Sequence, residues 1–256
     1  GYEIQGIGDF TGDGTDDILW LNTSTDAIGF YDMATTSPVW RWIEPGGTLW
    51  DIAGIGDFDG DSTDDILMHN AATNGFGYYD MNQGTQSWRP LTNGGPGWEI
   101  AATGDFTGDG TDDILWFEQS TGQFGFYEMD SGDPVFQALD YGGGDWQIVG
   151  TGDFDANGVD EILWFNTATN SAGFHVVSGS ATSFVSLGEG GAGYQISGIA
   201  DYSGDGRDDV LWFNTLTSQT GYYEMQGIDG QASWSSLGMA GPGWAPSGIE
   251  PAELLA

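Results

Sequence analysis

Three regularities in the amino-acid sequence predict an all-β repeat fold, a five-bladed β-propeller of four-stranded antiparallel blades. An acidic segment between two apolar runs recurs five times, as GIGDFTGDGTDDILW, GIGDFDGDSTDDILM, ATGDFTGDGTDDILW, GTGDFDANGVDEILW and GIADYSGDGRDDVLW. Its first aspartate falls at Asp9, Asp57, Asp105, Asp153 and Asp201, a constant period of 48 residues that signals a repeat architecture. Each period has room for four short strands, and such a unit cannot bury both faces alone. Stacking around a ring solves this without long open edges, and five units fall within the roughly four to eight blades of known propellers. A linear solenoid would want distinct capping repeats, whereas the end units resemble the middle ones.

The second unit, Trp50 to Gly97, serves as a template. WDIAGIGDF reads as a first strand whose small residues Ala53, Gly54 and Gly56 suit the crowded innermost position. DILMHN reads as a second strand after the acidic loop, GFGYYDM as a third after the turn AATN, and QSWRPL as a fourth. Pro90 is tolerated there because an outer edge has a free side. The Gly-rich TNGGPGW returns the chain to the next unit. In one register the third strand carries Gly29, Gly77, Gly125, Gly173 and Gly221, and the fourth Trp40, Trp88, Phe136, Phe184 and Trp234. The organisation is a single domain over 1–256, with repeats at 1–49, 50–97, 98–145, 146–193 and 194–243 and a closing tail at 244–256. In that tail Trp244, Gly248 and Ile249 echo a unit's opening, but no acidic loop follows, which favours closure at five with the tail as a strap near Tyr2 to Gly8.

With 39% hydrophobic and 14% aromatic residues the chain has material for a substantial core. No apolar run is long enough to cross a membrane as a helix, and no leader-like segment opens the chain. Three Lys and Arg against 39 Asp and Glu give a net charge of −36, which repels nucleic acid and anionic membranes. The chain has no cysteine, so no disulfide staples it, which fits a calcium-rich extracellular setting in which metal takes that role.

So many carboxylates in nine residues repel one another unless a hard cation lies among them, and oxygen donors on alternate residues are what Ca²⁺ requires. Numbering each loop from its first aspartate, side-chain oxygens at positions one, three, five and nine and the carbonyl at seven form the expected ligand set. These are Asp9, Thr11, Asp13, Thr15 and Asp17; Asp57, Asp59, Asp61, Thr63 and Asp65; Asp105, Thr107, Asp109, Thr111 and Asp113; Asp153, Asp155, Asn157, Val159 and Glu161; and Asp201, Ser203, Asp205, Arg207 and Asp209. Up to five Ca²⁺ are expected. Glycine at position six permits the tight turn, with Ser62 the departure. Position eight is also aspartate in every unit (Asp16, Asp64, Asp112, Asp160, Asp208), either an outer charge or a hydrogen-bond acceptor at the strand start. Aspartate also forms plain turns, but a single turn does not need four acids.

On these five near-DxxGDGxDD loops the chain resembles the FG-GAP or VCBS-type repeats, over roughly residues 1–244. Such blades occur in integrin α-subunit heads, fungal lectins and many secreted bacterial proteins. The resemblance implies a propeller with Ca²⁺ in the loop between the first and second strands of each blade, and no single activity.

Up-and-down blades place alternate loops on opposite faces. The face away from the acidic loops is expected to carry Asn22, Asn70, Asn166 and Asn214 and the return-loop aromatics Trp50, Trp98, Trp146, Tyr194 and Trp244. Aromatic rings beside amides suit a sugar, although the same residues also serve as blade packing and turn formers. His69 and His175 are isolated and read as packing substitutions, and no catalytic constellation emerges. The expected function is a calcium-stabilised extracellular carbohydrate-binding module or lectin with repeated sites, partnered by a glycan or polysaccharide. The alternatives are a protein-binding adhesion or structural module, and thirdly a polysaccharide-active enzyme.

Overall fold

A computed structural model describes residues 1–34, 36–43, 49–70, 72–91, 95–129 and 134–239. Among these the chain is all-β, and its twenty strands form five separate four-stranded antiparallel sheets. Blade one holds β1 (Tyr2–Gly8), β2 (Asp17–Asn22), β3 (Ala27–Asp32) and β4 (Val39–Ile43). Blade two holds β5 (Trp50–Gly56), β6 (Asp65–Asn70), β7 (Gly75–Asn82) and β8 (Thr85–Leu91). Blade three holds β9 (Trp98–Gly104), β10 (Asp113–Glu118), β11 (Gln123–Glu128) and β12 (Val135–Tyr141). Blade four holds β13 (Trp146–Gly152), β14 (Glu161–Asn166), β15 (Ser171–Ser178) and β16 (Ala181–Glu189). Blade five holds β17 (Tyr194–Ala200), β18 (Asp209–Asn214), β19 (Gln219–Met225) and β20 (Ala232–Met239). Every blade runs in sequence order, and the first strands β1, β5, β9, β13 and β17 make the successive inter-blade contacts at the centre. The result is a five-bladed propeller.

The repeat extends to irregularities. Each first strand slips register against the second at the same place, skipping Gln5, Ala53, Ala101, Val149 and Ser197. Such a bulge sharpens the local twist. On the third strand a Cβ at Gly29, Gly77, Gly125, Gly173 or Gly221 would strike the aromatic ring of the fourth. The glycines therefore let Trp40, Trp88, Phe136, Phe184 and Trp234 lie flat across the sheet.

Because strand side chains alternate, each blade offers one apolar face to each neighbour. Between blades two and three, Phe58, Leu67, Phe76 and Tyr78 meet Ile114, Trp116 and Met129. Between three and four, Phe106, Leu115, Phe124 and Phe126 meet Ile162, Trp164 and Val177. Equivalent clusters join blades one to two and four to five. Full burial of each such side chain stabilises by about 1.5–3 kcal/mol, so the core is a series of inter-blade layers.

A polar clamp accompanies each layer, and it gives the position-eight aspartates their role. The Asp9 N–H donates to Asp64 Oδ2 at 2.8 Å while the Asp64 N–H donates to the Asp9 carbonyl at 3.0 Å. Asp57 with Asp112, Asp105 with Asp160 and Asp153 with Asp208 repeat the exchange. A Cβ at Gly8, Gly56, Gly104 or Gly152 would come within 3.0 Å of the incoming carboxylate, which is why glycine precedes the first aspartate there.

The juxtaposition of blades five and one differs. Asp16 and Asp201 are exposed and exchange no such bonds among the described residues. Tyr202 is 41% exposed, whereas its counterparts Phe10, Phe58, Phe106 and Phe154 are at most 1% exposed. The closure at five expected from the tail is therefore not seen among the described residues, and Trp244, Gly248 and Ile249 lie outside them.

The clamp makes a prediction with an internal control. Asp112→Ala leaves the Asp57 N–H without its acceptor and is expected to cost about 1–3 kcal/mol. Asp16→Ala removes the same charge from an exposed site and is expected to change stability by less than about 0.5 kcal/mol. Denaturant melts of the two variants check this; equal losses would remove the clamp from the account.

Candidate functional site

Each acidic loop is wound around its own carboxylates. The position-one carboxylate accepts the amides that follow it: Asp57 takes the N–H groups of Gly60, Asp61 and Ser62 at 2.8, 3.1 and 2.7 Å. Asp9, Asp105, Asp153 and Asp201 do the same in their loops. The position-five side chain accepts the N–H of position seven, from Asp13 with Thr15 through Asp61, Asp109 and Asn157 to Asp205 with Arg207. These bonds require left-handed backbone at position six, and Ser62 adopts it at φ 67°.

Position nine is where the loop meets the core. Asp17, Asp65, Asp113, Glu161 and Asp209 are fully buried. Asp65 accepts the Met81 N–H at 2.8 Å, at the end of the third strand, and the Phe58 N–H at 3.1 Å, at the start of its own loop. Asp113 repeats both bonds with Met129 and Phe106. Asp17 Oδ2 and Glu161 Oε1 are buried with no hydrogen-bond partner. Burial pushes these carboxyls upward: Asp17 to about 6, Asp113 to about 7, and Asp65 and Glu161 to about 8. Neighbouring loop acids push in the same direction, and the amide bonds only partly oppose them.

Carboxylate oxygens of Asp57, Asp59 and Asp61, and of Asp153, Asp155 and Glu161, lie within 4.8 Å of one another. The donor set is all oxygen, with two orphaned buried carboxylate oxygens, and it fits a hard cation better than a soft one. The third positions Thr11, Thr107 and Ser203 bring hydroxyls in place of the carboxylates of Asp59 and Asp155.

On the opposite face the predicted amides are occupied by their own turns. Asn22 Oδ1 accepts Ser24 N–H at 3.0 Å, Asn70 accepts Thr73, Asn166 accepts Ala168 and Thr169, and Asn214 accepts Leu216 and Thr217. Trp50, Trp98 and Trp146 are half-buried against the inter-blade layers and stand edge-on to Trp88, Phe136 and Phe184. Trp244 lies outside the described residues.

Sequence reasoning did not find two aromatic hollows that the described residues form. One, of about 370 Å³, lies on blade one between Tyr2, Trp20, Tyr31, Trp40 and Trp42. The other, of about 230 Å³, is an open cleft of Gly190, Tyr194, Trp212, Tyr223 and Trp234. The cleft follows from one substitution: Phe76 packs on Trp116 and Phe124 on Trp164, but Ala172 stands in that register against Trp212. Trp212 Nε1 is buried without a partner, and the Tyr194 hydroxyl donates to Gln219 Oε1 at 2.8 Å. A comparison of that register between units was the available signal. His175 is buried among Phe124, Trp164 and Phe184, and His69 Nε2 pairs with Asn74 Oδ1. No helix is long and apolar enough to cross a membrane among the described residues.

The sequence matches no family model and no curated protein. Solved structures share the fold at low identity. A lectin of Agrocybe aegerita that recognises non-reducing terminal N-acetylglucosamine aligns at 15% identity and TM-score 0.58, over 93% of this chain and 80% of that one. The Photorhabdus luminescens Tc holotoxin pore aligns at 13% identity and TM-score 0.57, over 94% of this chain but only 13% of that one. A putative 6-phosphogluconolactonase of Bacteroides uniformis aligns at 16% identity and TM-score 0.54, over 86% of this chain and 66% of that one. Lectin, toxin and enzyme-like proteins thus share this propeller architecture.

The raised carboxyls set the sign of a pH effect in chelated protein. Between the ordinary carboxylate range near pH 4 and their folded values of about 6 to 8, the folded state binds more protons than the unfolded state. Stability is therefore expected to fall as pH rises through that window. Melts in EDTA from about pH 5 to about pH 8 check it; a melting temperature that rises over that range would contradict the burial of these groups.

Proposed function

We propose that this propeller is a Ca²⁺-stabilised, extracellular carbohydrate-binding module, and that the cleft between blades four and five is its sugar site. The observation that carries this reading is the Ala172 cleft, where an inter-blade layer opens to solvent while keeping its aromatic walls. Tyr194, Tyr223 and Trp234 offer ring surfaces for the apolar C–H face of a pyranose. The Tyr194–Gln219 pair offers directed polar groups for its hydroxyls. The lectin that shares the fold supports testing terminal N-acetylglucosamine first. No paired carboxylates line this cleft, which favours binding over glycoside hydrolysis.

Calcium fits the loops as a structural cation. Positions one, three, five and nine and the position-seven carbonyl would hold it, and Asp17 and Glu161 would turn their orphaned oxygens to it. The bound ion supplies the counter-charge that lets several carboxylates share a desolvated loop. In the fourth loop Asn157 and the longer Glu161 alter charge and reach, so its affinity differs from the others.

Two outcomes are expected. EDTA lowers the melting temperature near neutral pH and excess Ca²⁺ restores it; melting unmoved by chelation, with no calcium found by metal analysis, would refute the structural cation. Ala172→Phe should fill the cleft as Phe76 and Phe124 fill theirs, keep the melting temperature, and weaken glycan binding roughly tenfold or more. A glycan array with both proteins checks this, and unchanged binding by a folded Ala172→Phe would exclude the cleft.

A further inference from the structure

Among the described residues, the outer faces of blades one and five are uncovered, and the two are not equivalent. Blade one keeps every feature by which blades two to four receive a preceding blade. Asp16 stands where Asp64, Asp112 and Asp160 accept a neighbour's main-chain N–H, yet it is exposed and makes no hydrogen bond among the described residues. Thr15 is exposed, whereas Thr63 and Thr111 are buried beneath the preceding blade's loop. Ile7 is 64% exposed, while Ile55 is half-buried against Gly6 and Gly8 of the preceding blade. The 370 Å³ hollow of Tyr2, Trp20, Tyr31, Trp40 and Trp42 lies where Phe76 and Phe124 fill the equivalent space in blades three and four.

Blade five has lost the complementary features. Ala200 replaces Gly8, Gly56, Gly104 and Gly152, and a Cβ at each of those glycines would come within 3.0 Å of the clamping carboxylate. Tyr202 replaces phenylalanine, and Thr220 stands where Phe76 and Phe124 project. The Tyr202 and Tyr222 rings pack on each other at 5.8 Å instead of under a neighbour. A more polar outer face of this kind is how a terminal repeat ends a stack.

We propose that the free face of blade one is the docking surface for one further blade of the same repeat, joined ahead of Gly1, and that blade five is an end cap that does not dock there. The occupant's chemistry follows from the four built interfaces. It carries Gly-x-Gly-Asp-Phe at its loop start, so that its first aspartate's N–H reaches Asp16 and its two glycines pack against Ile7 as Gly6 and Gly8 pack against Ile55. It also carries a large apolar residue in the third-strand register of Phe76 to fill the aromatic hollow. Neither blade five of the same molecule nor that of a second copy meets this description, because of Ala200, Tyr202 and Thr220.

The chain has no cysteine, so an introduced thiol is a unique probe. Ile7→Cys is placed in the 256-residue protein and in a version with a copy of residues 50–96 ahead of Gly1, which preserves the 48-residue period. Alkylation is expected to be fast in the first protein and roughly tenfold or more slower in the second, which should also melt higher. A third version carries the same added unit with its Gly-Asp-Phe start changed to the Ala-Asp-Tyr of blade five, and it should label almost as fast as the first. Asp16→Ala should lower the melting temperature only in the six-unit protein. Slow labelling of the 256-residue protein as a monomer would show that blade five or residues 240–256 cover the face, and would overturn the proposal. Slow labelling that sets in with a concentration-dependent dimer would overturn it in favour of a second copy. Fast labelling and unchanged melting in the six-unit protein would overturn it as well.

Discussion

Two consecutive acids at the start of each second strand govern this architecture. Neighbouring strand residues point to opposite sides, so the position-eight and position-nine side chains must leave the backbone in different directions. The ninth turns inward and accepts main-chain N–H groups from its own blade, as Asp65 does from Phe58 and Met81, tying loop, second strand and third strand together. The eighth reaches across, as Asp64 does to Asp9, and ties that blade to the one before. One dipeptide thus sets both the internal geometry of a blade and its placement in the stack. The arrangement desolvates two carboxylates in each of units two to five, a cost that amide bonds only partly offset. A cation among the loop oxygens would offset what remains, which is the physical reason to propose metal in loops so dense in acid.

Function in a repeat protein appears where the repeat is broken. Position for position, the inter-blade layers use the same registers, so a single small residue leaves a defined gap. Ala172 does this between blades four and five, in the register where Phe76 and Phe124 stack on tryptophan. Ala200, Tyr202 and Thr220 break the pattern differently, replacing close approach and apolar fill with bulk at the clamp and polarity on the face. The first change opens a cleft inside the stack, and the second ends the stack.

Much of the blade was legible because its causes are local. The period, the aromatic and glycine registers and the turn residues lie in sequence windows shorter than a unit, and the expected second strand DILMHN coincides with Asp65–Asn70. Pro90 lies in β8, the fourth strand at one edge of its sheet, as proline's missing N–H requires. The role of the eighth aspartate was not legible, because its partner lies 55 residues away in the preceding blade. Nor was the competition for the amides of Asn22, Asn70, Asn166 and Asn214, which depends on how each turn closes. The resemblance of end units to middle units held for the loops but not for the outer face of blade five. That face is read from Ala200, Tyr202 and Thr220 only once the neighbouring contacts are known.

The clamp and the cleft belong to the same interface at opposite ends. Blades four and five are joined at the loop end by Asp153 and Asp208, and their aromatic walls part at the return-loop end around Tyr194 and Trp212. Loosening the Asp208 clamp would free the angle between those blades and with it the width of the cleft. If a cation balances the carboxylates of the fourth and fifth loops, its removal would act on the cleft through this lever without touching a bound sugar. Calcium dependence of binding would then arise from blade geometry, and it would track the integrity of these two loops more closely than that of the first three.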